Sequence, residues 1–159
     1  MNKKINLNFS DEEPKNITDK ICSIIEEIGW RYDREGDKIQ VAFKTDDDTQ
    51  TDLITCVTDV LSDKIFVSSS IGIKSKCNNE VLMLLNHINA HKIFYGRFVL
   101  ADDNTVWFDY TVKIEPKNIT KDEIYRTFSI ASNCSEHFCN SIIDVAVGAK
   151  TAYEVIETI

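Results

Sequence analysis

Two runs of alternating apolar and polar residues, neither broken by a helical pattern, constrain this chain most. In the first run, Trp30–Arg34 and Lys38–Lys44 flank the turn Glu35-Gly36-Asp37, and Ile39, Val41 and Phe43 fall on one face. Asp52–Val60 follows, rich in β-branched residues. After a Ser62-Asp63 turn comes Lys64–Ile73, with Ile65, Val67, Ile71 and Ile73 on one face. In the second run, Ile93–Ala101 and Thr105–Ile114 flank Asp102-Asp103-Asn104. Parallel neighbours need a crossover of about a dozen residues or more between them. Neither run contains one, so the sheet is expected to be mainly antiparallel.

Helical periodicity surrounds these runs. Ile21, Ile24, Ile25 and Ile28 form one stripe, closed by Gly29. Asn79–His91 carries Val81, Leu84, Leu85 and Ile88 at helical spacing. A long helix from Thr120 places Ile124, Phe128, Ala131, Phe138, Ile142 and Val145 on one stripe. Gly148 interrupts it, and Thr151–Thr158 reads as a short last helix. The expected class is α+β, with helices packed on a mainly antiparallel sheet in the order α-β-β-β-β-α-β-β-α. A length of 159 residues suits one domain, 1–159, with residues 1–12 flexible or loosely attached.

A hexapeptide occurs twice: Glu13-Pro14-Lys15-Asn16-Ile17-Thr18 and Glu115-Pro116-Lys117-Asn118-Ile119-Thr120. Nothing downstream repeats, so both copies read as helix openers rather than as a duplication. Thr120 is expected to cap, with Glu123 three residues on and Ile119 stapled against Ile124. By the same pattern Thr18 is expected to cap the first helix.

Composition excludes more than it assigns. With 26 acidic and 18 basic residues the net charge is −8, whereas generic nucleic-acid and anionic-membrane binders need a basic face. The longest apolar run, Val81–Leu85, is far short of the roughly 20 residues of a membrane span. Acid follows the N-terminal lysines, so no secretory signal is read there. Five scattered cysteines suggest reduced thiols, and the expected location is the cytoplasm.

Candidate chemistries fail on spacing. His87 and His91 share a helix face, but Ile88 stands where a metalloprotease motif needs glutamate. Cys134, His137 and Cys139 offer half a zinc site with no second ligand pair, and read better as packing cysteines. Counted from Asp46, the loop Asp46–Asp52 lacks the glycine and glutamate of a calcium loop, and reads as a solvated acidic loop. Five glycines form neither a nucleophile elbow nor a phosphate-binding fingerprint. No catalytic residue, metal site or cofactor is expected. In the last hairpin Phe94, Phe98 and Leu100 are expected to meet the core, with Val106, Phe108, Tyr110, Val112 and Ile114 facing it from the partner strand. The opposite faces then carry Tyr95, Arg97, Val99 and Trp107, residue types enriched in protein interfaces. The alternative is a partly covered sheet face without a partner.

Several local patterns resemble the YbjN domain family, over most of the chain from Ile17 onward. They are Trp30-x-Tyr32 with the hairpin to Ile39-x-Val41-x-Phe43, then Leu84-Leu85-Asn86-His87-Ile88-Asn89. Gly96-Arg97-Phe98-Val99-Leu100, two acidic turn residues and Val106-Trp107-Phe108 follow, and finally Val147-Gly148 before Thr151-Ala152-Tyr153-Glu154. Asn104 replaces the glycine usual after the acidic pair, and asparagine tolerates the same left-handed backbone. The resemblance implies the fold of type III secretion chaperones and a non-enzymatic, bacterial, chaperone-like or regulatory role. It implies binding to another protein or to a second copy in a homodimer, with no nucleic acid or membrane. A small-ligand or peptide sensor is the alternative. Asn86 and Asn89 match the family's helix motif, with bonds to neighbouring backbone as the plain reading.

Overall fold

The computed structural model describes residues 16–159. The N-terminal expectations for residues 1–12, and the first three residues of the first hexapeptide, lie outside them. Helix α1 (Ile17–Ile28) precedes strands β1 (Asp33–Glu35), β2 (Lys38–Lys44), β3 (Leu53–Val60) and β4 (Lys64–Lys74). Helix α2 (Asn78–His91), strands β5 (Arg97–Leu100) and β6 (Thr105–Lys113), and helices α3 (Lys121–Ala146) and α4 (Ala152–Ile156) follow. The six strands form one sheet in the order β1-β2-β3-β4-β6-β5, and every neighbouring pair is antiparallel. The expected class, element order and mainly antiparallel sheet are thus present.

One face of this sheet is the floor of the core. Val41, Cys56, Ser69, Phe108 and Phe98 are successive register partners across five strands, and all are buried. Alternation sets that row, and the long helix α3 covers it. Small residues on α3 allow close approach: the Ser69 hydroxyl donates to the Ala131 carbonyl at 2.8 Å and lies 2.5 Å from the Ser135 hydroxyl. Ile124, Phe128 and Ile142 of the same helix are fully buried, and burying such a side chain contributes about 1.5–3 kcal/mol. Helix α1 packs on α3, while α2 lies beside β5 and α3. Among the described residues, no helix is long and apolar enough to cross a membrane.

The two hexapeptides open their helices differently. Thr120 caps α3 in a full capping box with Glu123, as expected. The cap of α1 is Asn16, not Thr18: the Asn16 side chain accepts from Asp19 N–H at 2.8 Å. Thr18 is buried and donates its hydroxyl to Asp37 at 2.8 Å, which ties α1 to the β1–β2 turn. Gly29 ends α1 at φ 89°, as its position suggested.

Three local expectations are corrected by tertiary contacts. The first strand begins at Asp33 rather than Trp30, because the Trp30 ring turns into the helix layer, 4.9 Å from Phe43 and 5.8 Å from Phe128. Strand β5 begins only at Arg97, because Gly96 breaks the extended run at φ 69°. Phe94 consequently stands outside the core, 96% exposed, instead of sharing a face with Phe98 and Leu100. The acidic β2–β3 loop is not simply solvated. Its backbone is held on α3 by Glu136, which accepts from Asp46 N–H, and by Asn140, which accepts from Gln50 N–H and donates to the Asp48 carbonyl.

Candidate functional site

The β5–β6 hairpin carries the surface residues singled out above, and its turn sets their register. Asn104 occupies the left-handed region at φ 68°, which asparagine tolerates. Asp103 accepts from both the backbone N–H and the hydroxyl of Thr105, at 3.1 and 2.5 Å. Those two bonds hold its carboxyl below the usual carboxylate range. The Thr105 hydroxyl in turn accepts from the Trp107 indole N–H at 2.7 Å, which fixes the ring on the outer face of the sheet. Val99 is the register partner of Trp107, and Arg97 that of Asp109. Asp109 accepts from the Ser68 hydroxyl at 2.7 Å. Arg97 is exposed, and Val99 and Trp107 are half-buried.

The structure therefore brings Arg97, Val99 and Trp107 together on one outer face. Tyr95 lies outside the strand pairing that orders them, although it shares a cleft with Arg97. It precedes β5, is 57% exposed, and sets its ring edge-on to Tyr110, on the helix-facing row of β6. Gly96 makes this detour feasible. A Cβ there would meet the Asp109 carbonyl at 2.5 Å and the Phe108 ring at 2.6 Å.

Asn89 has a larger reach than its motif suggested. Its amide accepts from Phe98 N–H at 2.7 Å and donates to the Phe98 carbonyl at 2.9 Å. Both bonds lie on the outer edge of the sheet, so α2 seals β5 against further pairing. Asn86 is exposed. Asn89 lies nine residues before Phe98, and its helix motif gave no sign of a clasp on a strand.

The residues considered for catalysis or metal binding fall into two separate pairs, His87 with His91 on α2 and Cys134 with His137 on the wall of one cleft. The His87 and His91 rings are 4.9 Å apart on α2. Desolvation, then the charges of His91 and Lys92, lower the His87 pKa. Burial raises the thiols of Cys22 and Cys134, pushes Cys56 up to about 12 and, with the Glu136 charge, Cys139 up to about 11. These four thiols are held in the protonated, poorly nucleophilic form. Among the described residues, no three histidine, cysteine or acidic side chains converge as a metal site.

A cleft of about 460 Å³ lies between the α2–β5 connection and α3, with Ile93, Phe94, Cys134 and Phe138 among its walls. It is mostly apolar, and Lys92, Cys134 and His137 are among the titratable side chains on its walls.

Comparison with known proteins follows this geometry. None of the curated proteins compared matches the sequence. Among solved structures, the chain is similar to one titled "Crystal structure of YbjN, a putative transcription regulator from E. coli". The TM-score is 0.53 at 14% identity, covering 80% of this chain and 89% of that one. At that identity the likeness concerns the fold. The family profile described as YbjN, "Putative bacterial sensory transduction regulator", matches residues 18–143. With most of its length inside that profile and the fold in agreement, this chain belongs to the YbjN family.

Proposed function

We propose that the chain is a non-catalytic, cytoplasmic protein-binding module, chaperone-like or regulatory, that acts as a homodimer. The supporting observation is the outer face of the sheet, where Trp107 and Val99 pair across strands beside exposed Arg97 while the helices pack on the opposite face. Aromatic and arginine residues of this kind anchor protein interfaces. The regulator description of the family agrees with a role in binding.

Two measurements test this reading. Light scattering at micromolar concentration is expected to give twice the 18.2 kDa chain mass, and a particle of 18.2 kDa overturns the dimer. The tagged 159-residue chain is expected to retain specific proteins from its native cytosol. Trp107→Ser with Val99→Ser is expected to lose them while leaving circular dichroism unchanged. Retention that ignores both substitutions overturns the face.

The 460 Å³ cleft favours a second reading, a small-ligand or peptide sensor. A metabolite screen by thermal shift decides it, since a ligand that binds only the folded state raises the midpoint.

A further inference from the structure

Strand β6 is nine residues long and β5 only four, so β5 covers Val106–Asp109 and no more. Beyond Asp109 the edge of β6 has no strand beside it. Alternation decides which groups face that gap. At one end of β6 the Thr105 carbonyl accepts from Ala101 N–H, on the β5 side. At the other end Ile114 N–H donates to Asp63, on the β4 side. Thr111 and Lys113 share the parity of Thr105 and so turn their N–H and C=O groups into the gap. Both residues are exposed, and their backbones have no partner on that side among the described residues. Such an edge is a template for pairing with another chain.

Hollows flank the gap on both faces. On the outer face a cleft of about 420 Å³ is bounded by Phe66, Phe94, Tyr95, Arg97 and Thr111. On the helix face one of about 160 Å³ lies between Val112 and the Glu123–Thr127 turn of α3. Successive side chains of an added strand point to opposite faces, so each hollow would receive alternate residues. Phe94, 96% exposed, supplies an apolar wall to the outer cleft.

The charges here run against those of the chain. Arg97, Lys113, Arg126 and Lys64 surround the gap, Lys64 being the register partner of Lys113. None is ion-paired to a carboxylate among the described residues. Two carboxylates also line these hollows, Asp109, which accepts from the Ser68 hydroxyl, and Glu123, which accepts from Thr120 N–H, and the four cations outnumber them. In a chain of net charge −8 this is a local cationic excess.

We propose that an extended acidic segment of a partner protein adds as a short strand to β6 alongside Thr111–Lys113. Its apolar side chains fill the flanking clefts and its carboxylates meet Arg97, Lys113 and Arg126. The proposal rests on the reading of the chain as a protein-binding module and gives that module a site and a ligand chemistry. Main-chain pairing supplies affinity in this mode, and the clefts supply selectivity.

The test uses the full chain and a fluorescein-labelled octapeptide alternating glutamate and valine. Saturable binding is expected, with Thr111 and Lys113 amide exchange slowed about tenfold or more, as newly paired amides require. Arg97→Glu is expected to weaken binding by about tenfold, and Thr111→Pro, which removes one outward N–H at an edge position, by at least as much. Should Thr111→Pro fail to fold, the exposed Arg97→Glu variant carries the test. Binding that leaves both amides exchanging as in the free protein overturns the site. So does equal binding of a lysine–valine octapeptide, or equal protection by a single-stranded oligonucleotide. Protection of the same amides by self-association alone assigns the edge to a second copy and overturns the acidic segment. Each of these leaves the broader module standing or falling by the Trp107 and Val99 experiment, which does not involve this edge.

Discussion

The two halves of β6 have the same backbone and opposite fates. From Val106 to Asp109 the strand is paired with β5, and β5 is clasped in turn by Asn89 of α2. From Tyr110 to Lys113 the same edge has no neighbouring strand among the described residues. The β-strand periodicity does not separate the halves, since side-chain exposure alternates along both. The difference comes from the neighbour. Gly96 bends the chain so that β5 starts late, and Asn89 holds the part that does pair. An edge can therefore be sealed or left available by residues that lie on other elements.

Substitutions should break this contrast in a graded way. Gly96→Ala is expected to have the largest effect, about 3 kcal/mol, because the position has φ +69° and the added Cβ collides with backbone and with Phe108. The urea midpoint should fall, and the amides of β5 should exchange with those of the open half. Asn89→Ala leaves the Phe98 N–H and C=O without their clasp and is expected to cost about 2 kcal/mol. Exchange at Phe98 should quicken selectively, and unchanged exchange there would show that the clasp is not what seals the edge. Asn104→Ala puts alanine at φ 68° in the hairpin turn, for about 1 kcal/mol by the same denaturation assay.

A smaller effect comes from Asp103. Its folded pKa is depressed by the Thr105 bonds, so its stabilisation is present above the unfolded value near 4 and fades as pH falls through the folded one. Urea midpoints measured between about pH 5 and pH 2 should drop less in Asp103→Asn than in the wild type. Thr111→Ala, in the open half, should change stability by less than about 0.5 kcal/mol, since no described side chain depends on it.

Much of the fold was legible before any coordinates. Alternation placed β2, β3 and β6 to within a residue or two, because a face that must be buried repeats every second position. What misled was locally correct chemistry overruled from a distance. Thr18 and Asn16 are both good cap residues, and the choice fell to Asn16 because Asp37, nineteen residues on, takes the Thr18 hydroxyl. Phe94 continues the alternation of Phe98 and Leu100 but lies before a backbone bend, so its pattern refers to a strand that does not extend so far. Of the four outer-face residues, Arg97, Val99 and Trp107 were readable by parity. Tyr95 was not, since parity has no meaning outside the strand.

The sequence by itself determined the class, the order of the elements and the antiparallel habit of the sheet. Those follow from periodicity and from connections too short for crossovers. It also disfavoured most catalytic chemistries, because motifs are matters of spacing. Only the tertiary structure decided where the sheet ends. Whether an edge is sealed depends on where a bend in one loop and an asparagine on one helix arrive in space, and neither position is encoded in the strand that they expose.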